Sequence, residues 1–245
     1  VLLFELHGKR NTLSIAVVQD IINDIETAEK AGKALVIGTQ QNDFSVGADL
    51  KEMIGAAMSG QIEEFKQAIA NFQHMTMRIK HSSIPVVAAI QGFTFGGGCE
   101  IAMHADARQI SAETYIGLVE CGVGLLPAGG GCKEAALRAD AVTPDNADLF
   151  PALRPYFENI GMAKVSSCGH DIKEMSYSDK GDGISINREQ VIHDACLRAR
   201  LLLNQGYQAP LVEEQVRVGG KAALAELRVQ LEMMMQSGFI SEHDK

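Results

Sequence analysis

Three glycine-bearing segments and two acids are the residues whose types and spacing could carry chemistry in this chain. The first segment is Phe44-Ser45-Val46-Gly47-Ala48-Asp49-Leu50-Lys51, which follows a strand-like run and carries a Gly-Ala pair that lets backbone approach a ligand. The second is Ala89-Ile90-Gln91-Gly92-Phe93-Thr94-Phe95-Gly96-Gly97-Gly98-Cys99-Glu100. Its three consecutive glycines lie between a strand and the mouth of a helix, where free N–H groups are polarised by the helix dipole. The third runs from Gly117 through Glu120 to Gly129-Gly130-Gly131, placing a second acid before a loop too rich in glycine for ordinary core. Main-chain donors of this kind suit an anion, and a pair of acids suits proton transfer. Each segment also has an ordinary structural reading. Gly96–Gly98 can be a turn where helix and sheet pack closely, Gly129–Gly131 a loop before a helix, and Glu100 and Glu120 solvated surface acids.

The elements that must position these segments follow from periodicity. Val1–Leu6 and Ala34–Gly38 read as strands, with a helix over Ile15–Lys30 between them that puts Val17, Ile21, Ile25 and Ala28 on one face. Glu63–Lys80 is a second amphipathic helix, with Ile62, Phe65, Ile69, Phe72 and Ile79 at helical spacing. Ile84–Ile90 is a short apolar run expected to be a buried strand. A helix follows from Gly97 through Ile101 and Met103, then strand pieces at Gln109–Ser111 and Tyr115–Leu118. This alternation predicts an α/β fold with βαβ crossovers. Beyond it, Ala141–Ile160 reads as a helix broken by Pro144, Pro151 and Pro155. Met175–Ile186 is polar and turn-rich around Asp179–Gly183, and Gln190–Asn204 and Lys221–Gln236 read as helices. The expected organisation is an α/β core over residues 1–140 and a mostly helical region over 141–245.

Composition narrows the classes of function. The 245 residues carry 22 Lys and Arg against 31 Asp and Glu, a net charge of −9. An acidic chain lacks the basic face that nucleic acid or an anionic membrane requires, so neither is expected as a partner. The five cysteines are scattered and form no CxxC pair, which predicts a reducing compartment with no disulfide framework and no zinc ribbon. No apolar run is long enough to span a bilayer, and no signal peptide is visible. The chain opens on Val1 within a strand-like run and closes on Ser241-Glu242-His243-Asp244, a helix-start signal without a helix body. The expectation is a domain cut from a longer polypeptide. Gly122-Val123-Gly124-Leu125-Leu126-Pro127 begins like a dinucleotide fingerprint but has Pro at its last position, so NAD binding is not expected. His104 is expected on a helix surface, and Cys99 and Cys121 as small buried packing residues.

Taken in order, the three segments resemble the crotonase (enoyl-CoA hydratase/isomerase) superfamily. Its pattern is a GAD segment, a strand with A-A-x-x-G leading to a GGG-x-E helix start, and an acid before a P-G-x-G-G-like loop. Here these are Gly47-Ala48-Asp49, Val86–Glu100 and Glu120–Gly131, and the resemblance covers Val1 to about Leu137. More narrowly, Met162-Ala163-Lys164, Ile184–Asn187 and Gly206-Tyr207-Gln208-Ala209-Pro210 resemble bacterial multifunctional β-oxidation proteins, in which a 3-hydroxyacyl-CoA dehydrogenase portion precedes the crotonase-like one.

The resemblance implies a spiral crotonase-like core and a cytoplasmic hydration of an enoyl-CoA thioester. It implies an oxyanion hole formed by the N–H groups of Ala48 and Gly97. It also implies catalytic roles for Glu100 and Glu120, with Glu120 as the protonated acid near Cα and Glu100 helping to activate water. Gly47, Asp49, Leu50, Lys51, Gly96, Gly98 and Ala128 would contact the substrate or its CoA portion, with Lys9 and Arg10 as weaker phosphate candidates. Asn11-Thr12-Leu13 resembles the family's Asn segment beside the CoA cleft. No metal and no permanently bound cofactor are implied; coenzyme A enters as part of the substrate. The expected partners are acyl-CoA and either further copies of the chain or a fused dehydrogenase. Ala128 departs from the family's usual glycine, and its methyl is expected to crowd the water site. A Δ3-Δ2 isomerase, which can work with one acid, and a non-catalytic acyl-CoA module are the alternatives.

Overall fold

The computed structural model describes residues 1–49, 55, 60, 62–213 and 215–245. Its elements are β1 (Leu2–Glu5), α1 (Ile15–Lys30), β2 (Leu35–Gly38), α2 (Ile62–Lys80), β3 (Val86–Phe95), α3 (Gly97–His104), β4 (Ala107–Gly117), α4 (Gly131–Val142), α5 (Phe150–Gly161), β5 (Gly183–Ser185), α6 (Val191–Asn204) and α7 (Gly220–Gln236). Among the described residues no helix is long and apolar enough to cross a membrane.

The five strands form one parallel sheet in the order β1-β2-β3-β4-β5, so spatial order equals chain order. Every connection therefore advances the same way, and the right-handed crossover rule sends the connecting helices to one face. The result is a spiral. On that face Leu35 and Ile37 of β2 and Val86, Ala88 and Ile90 of β3 meet Ile21 and Ile25 of α1, Met75 and Ile79 of α2, and Ile101 of α3. The alternate residues Val36, Val87 and Ala89 point to the other face, where Val191, Ala195 and Ala199 of α6 cover them. Burial on both faces explains why these strands read as unbroken apolar runs. The chain beyond residue 140 thus supplies the sheet's fifth strand and the helix over its second face.

Local chemistry sets the boundaries. Ser14 caps α1, its hydroxyl accepting from Val17 N at 3.4 Å. The buried side of α1 is Val18, Ile21, Ile22, Ile25 and Ala28, with Val17 half-buried against the same core. The two strand pieces expected near 109–118 are one strand, β4, and β3 runs past Ile90 to Phe95. Its register against β4 shifts between Ile90 and Gly92. Gly92 adopts φ 54, and a side chain there would strike the Asn42 carbonyl, so the bend depends on glycine. The helix expected over 141–160 is instead the end of α4 and the whole of α5. Pro144 lies between them, Pro151 sits in the first turn of α5, and Pro155 lies within it.

The polar stretch read as turn-rich is anchored by a buried charge. Arg108 of β4 is fully buried and pairs with Asp179 and with Asp182 (2.6 Å), while donating to the Ala102 carbonyl at 3.0 Å. Asp182 also accepts from the Arg108 main-chain N–H at 2.7 Å. Breaking one partner of a buried pair leaves an uncompensated charge in a dry interior. Asp182→Ala is therefore expected to lower the unfolding free energy by about 3–5 kcal/mol, measured by urea denaturation. A loss under about 1 kcal/mol would mean the guanidinium is effectively solvated.

Candidate active site

The segment Phe44–Ala48 is held between two neighbours. On one side Ser45 N donates to the Phe93 carbonyl at 3.1 Å and Phe95 N donates to the Ser45 carbonyl at 2.9 Å. On the other, Val46 N donates to the Arg10 carbonyl and Leu13 N to the Gly47 carbonyl at 2.9 Å, with Leu13 bridging Ala48 in parallel register. A residue bridged this way has its neighbours' groups bonded to the partner, so the Ala48 N–H turns to the opposite side, where Gly96 and Gly97 run. The approach is close. A Cβ on Gly47 would stand 3.0 Å from the Phe95 carbonyl and 3.2 Å from Gly97 N, and Gly47 has φ 91. Gly97 is the first residue of α3, so its N–H has no acceptor within the helix and lies at the positive end of the dipole. Gly98, by contrast, faces Ser45 and lets α3 close on that segment.

Beside these amides is a cavity of about 610 Å³ whose lining includes Leu13, Gly47, Ala48, Asp49, Gly96, Gly97, Glu100, Glu120 and Ala128. Phe65, Ile69 and Phe72 of α2 form an apolar wall, with Val123, Leu125 and Leu126 among the facing residues. These α2 residues, expected at helical spacing, thus serve the cavity while Met75 and Ile79 serve the core.

The two acids differ in their surroundings. Glu100, 3% exposed, sits in the first turn of α3, and its Oε1 accepts from Gly131 N at 2.8 Å. Burial pushes its carboxyl up to about 7, against the opposing pull of the Gly131 and Gly129 amides and of Lys133. Glu120 opens a short 3-10 turn after β4, with its carbonyl accepting from Leu125 N at 3.0 Å. Its Oε1 packs against Gly96, where a Cβ would come within 3.2 Å. Its Oε2 is buried with no hydrogen-bond partner among the described residues. Burial first, then the neighbouring Glu100 charge, raise its carboxyl to about 7. Two acids in one apolar site cannot both ionise freely, so one readily holds a proton while the other carries charge.

The loop that presents amides to Glu100 has little freedom. A side chain on Gly129 would collide with the Phe72 ring and Glu100 Oε2. Gly130, at φ 120, lies where a Cβ would be 2.7 Å from His104 Cε1, and one on Gly131 would be 2.9 Å from Leu118. His104 corrects an expectation. It is buried, not on a helix surface, because every residue of α3 is covered. Its Nδ1 lies 2.7 Å from the Glu100 carbonyl, which requires the proton on that nitrogen, and burial lowers its pKa to about 4, so the ring is neutral. Cys99 is buried as expected, while Cys121 is only partly covered.

The structure thus brings together Gly47, Ala48, Asp49, Gly96, Gly97, Glu100, Glu120 and Ala128 from distant parts of the chain. Gly98 packs behind them. Ala128 is exposed at the rim of the cavity, its carbonyl accepting from Gln73 at 2.7 Å, and the position closest to Glu100 is Gly129. Lys9 and Arg10 are exposed and outside the cavity lining, and Leu50 and Lys51 lie outside the described residues. Asn11 is buried and donates to Thr39 Oγ1 and the Asp43 carbonyl, fixing the turn that leads into Leu13. The sequence singled out the loop Gly129–Gly131, but not Thr76, a helix residue behind the cavity lining whose hydroxyl donates to the Gly129 carbonyl at 2.7 Å.

Comparison with known proteins identifies the family and the fold. Residues 1–139 match the family described as Enoyl-CoA hydratase/isomerase. A Bacillus subtilis (strain 168) protein named as a probable 3-hydroxyacyl-CoA dehydrogenase is 39% identical over 244 residues, covering 100% of this chain and 30% of its own length. A Rickettsia felis protein carrying the name of a fatty acid oxidation complex trifunctional enzyme is 29% identical over 193 residues, 79% of this chain and 26% of that protein. The chain therefore spans under a third of these relatives. Among solved structures, an enoyl-CoA hydratase from Bacillus anthracis superposes with TM-score 0.68 at 19% identity, over 96% of this chain and 84% of that one. That likeness shows the crotonase-like α/β fold. The fold and the family match together place the chain in the enoyl-CoA hydratase/isomerase family of the crotonase superfamily.

Proposed function

We propose that the chain is an enoyl-CoA hydratase-type domain. The observation that carries this reading is the unequal treatment of two adjoining buried acids. Glu100 is held by main-chain amides that favour its charged form, whereas Glu120 keeps a buried oxygen without a partner. Hydration needs that division. The thioester oxygen would lie between the Ala48 and Gly97 N–H groups. Water's oxygen bonds to Cβ as Glu100 takes one of its protons, and the Cα–Cβ electron pair moves toward the thioester oxygen as an enolate. Fixed donors in a water-poor pocket stabilise that charge. Glu120 then gives its proton to Cα, and proton exchange between the acids and solvent restores the starting state.

Coenzyme A is proposed to enter as part of the substrate, with the apolar wall of α2 beside the acyl chain. The names of the relatives support a setting in fatty-acid oxidation beside a 3-hydroxyacyl-CoA dehydrogenase unit, and a cytoplasmic location is proposed with it. Isomerisation of a Δ3 double bond is the second reading, favoured by the unpartnered Glu120 oxygen, which could move a proton alone.

Separate Glu100→Gln and Glu120→Gln variants distinguish the two. Loss of crotonyl-CoA absorbance is expected to slow by about 10²–10⁴-fold in each, the usual contribution of a positioned acid or base. Isomerisation surviving in Glu100→Gln, with no hydration by the native chain, would overturn the hydratase reading. If the native chain binds acyl-CoA but transforms nothing, it is a binding module.

The amide pair needs a steric test, because no side-chain change deletes a backbone donor. In Gly47→Ala the methyl would stand 3.2 Å from Gly97 N at a glycine-favouring φ. A fall in kcat/KM of about 10²–10³-fold is expected, with circular dichroism unchanged. Native-like turnover in this variant would exclude the amides from the reaction.

Stability should also report the acids. Both sit near 7 when folded, against an ordinary 4.5. With raised folded values, the protein binds more protons than the unfolded chain between those limits. Their contribution is thus complete below pH 4.5 and is lost as pH rises through 7. Glu120→Gln is expected to raise Tm at pH 8 and leave it nearly unchanged at pH 4. An equal shift at both values would show that Glu120 titrates normally.

A further inference from the structure

The tie between α2 and the Gly129–Gly131 loop has a consequence for the acid it serves. Thr76 lies on the buried side of α2, 1% exposed, and its hydroxyl donates to the Gly129 carbonyl at 2.7 Å. The Gln73 carbonyl is also near, at 3.0 Å, but a hydroxyl has one proton, and the shorter contact is the one across 53 positions of chain. A buried threonine in a helix ordinarily returns its hydroxyl to its own helix. Here the nearer acceptor lies outside the helix, on the residue whose amide, with that of Gly131, faces the Glu100 carboxylate. The loop is held at a neighbouring point as well, where Gln73 donates to the Ala128 carbonyl at 2.7 Å. Phe72, His104 and Leu118 fill the space beside the three glycines and bound the loop on those sides, while Thr76 is the side chain that bonds the Gly129 carbonyl itself.

We propose that Thr76 is a positioning residue for Glu100: its hydroxyl pins the Gly129 carbonyl and so keeps the Gly129 and Gly131 amides on the carboxylate. The inference rests on the reading of Glu100 as a base only for its effect on turnover. The geometric claim stands on the bonds themselves.

Removing the hydroxyl leaves the buried Gly129 carbonyl unsatisfied, and the loop relaxes to find another donor. The amides then leave Glu100. Donors to a carboxylate favour its charged form, so their loss raises its titration midpoint. The titratable groups facing Glu100 are Glu120 on the turn after β4, Cys132 and Lys133 on α4, and the neutral His104 and the buried Cys99 thiol, held neutral by burial, on its own helix. Thr76→Val alters none of them, so a moved midpoint reports on the amides.

The test is a titration of Glu100 by 13C NMR in glutamate-labelled protein, assigned with Glu100→Gln, beside steady-state hydration of crotonyl-CoA. In Thr76→Val the midpoint is expected to rise by about one pH unit. kcat should fall about ten-fold with KM within about two-fold, and the acid limb of the rate profile should move up with the midpoint. Thr76→Ser, which keeps the hydroxyl, should restore all three. If the valine variant does not fold, Thr76→Cys keeps a side chain of similar size with a weak donor and should give a smaller shift in the same direction. An unchanged midpoint in a destabilised but folded Val or Cys variant would assign Thr76 to packing alone and overturn the proposal. A native chain without hydratase activity would defeat the proposed function and leave the titration to decide this inference by itself.

Discussion

Water must be kept from two carboxyl groups without replacing it by a full set of hydrogen bonds. That constraint governs much of the local architecture. Glu100 and Glu120 are held in an apolar cavity, each with its proton affinity raised by burial. A buried acid with complete partners would ionise and stay ionised; one with none would remain neutral. The protein sits between these limits by giving amides to one acid and leaving an oxygen of the other unpaired. Helix α2 supplies the apolar wall, the glycine loop supplies the amides, and the bend in β3 brings the strand end to the mouth of α3.

Glycine is what makes this closeness available. At Gly47, Gly96 and Gly129 the backbone meets another backbone or a functional side chain at distances a Cβ would violate or crowd. Gly130 adds a left-handed φ against the His104 ring. These four serve close approach more than flexibility, and a loop hemmed in by Phe72, His104 and Leu118 behaves as a rigid fitting. Preorganisation of that kind spares the reaction the reorganisation that mobile donors would require.

Much of this was legible in the sequence because it is local. The α1 helix follows from its period and its Ser14 cap, and the mouth of α3 from three glycines after an apolar run. The order of motifs located both acids. What stayed hidden depends on partners far along the chain. His104 reads as a surface residue until the loop before α4 is laid over it. Arg108, just outside the expected strand piece at Gln109–Ser111, carries no local signal; Asp179 and Asp182 neutralise it from more than 70 positions away. The strand Gly183–Ser185 is too short and too polar to announce itself, and exists because the edge of β4 is open to it. Thr76 carries no pattern at all; only its distance to Gly129 gives it meaning.

The placement of the parts along the sheet has an implication for how such a protein can change. Ala48 follows β2, Gly97 follows β3 and Glu120 follows β4, so each participant hangs from the carboxyl end of a successive strand. The amides are main-chain groups, indifferent to side-chain identity, while the acids are side chains on a helix turn and a loop. Substitution can therefore exchange the proposed proton-handling groups and leave the proposed anion-stabilising pair in place. On the proposed function, a lineage built on this scaffold would be free to vary its reactions on thioesters while inheriting one way of holding the thioester oxygen.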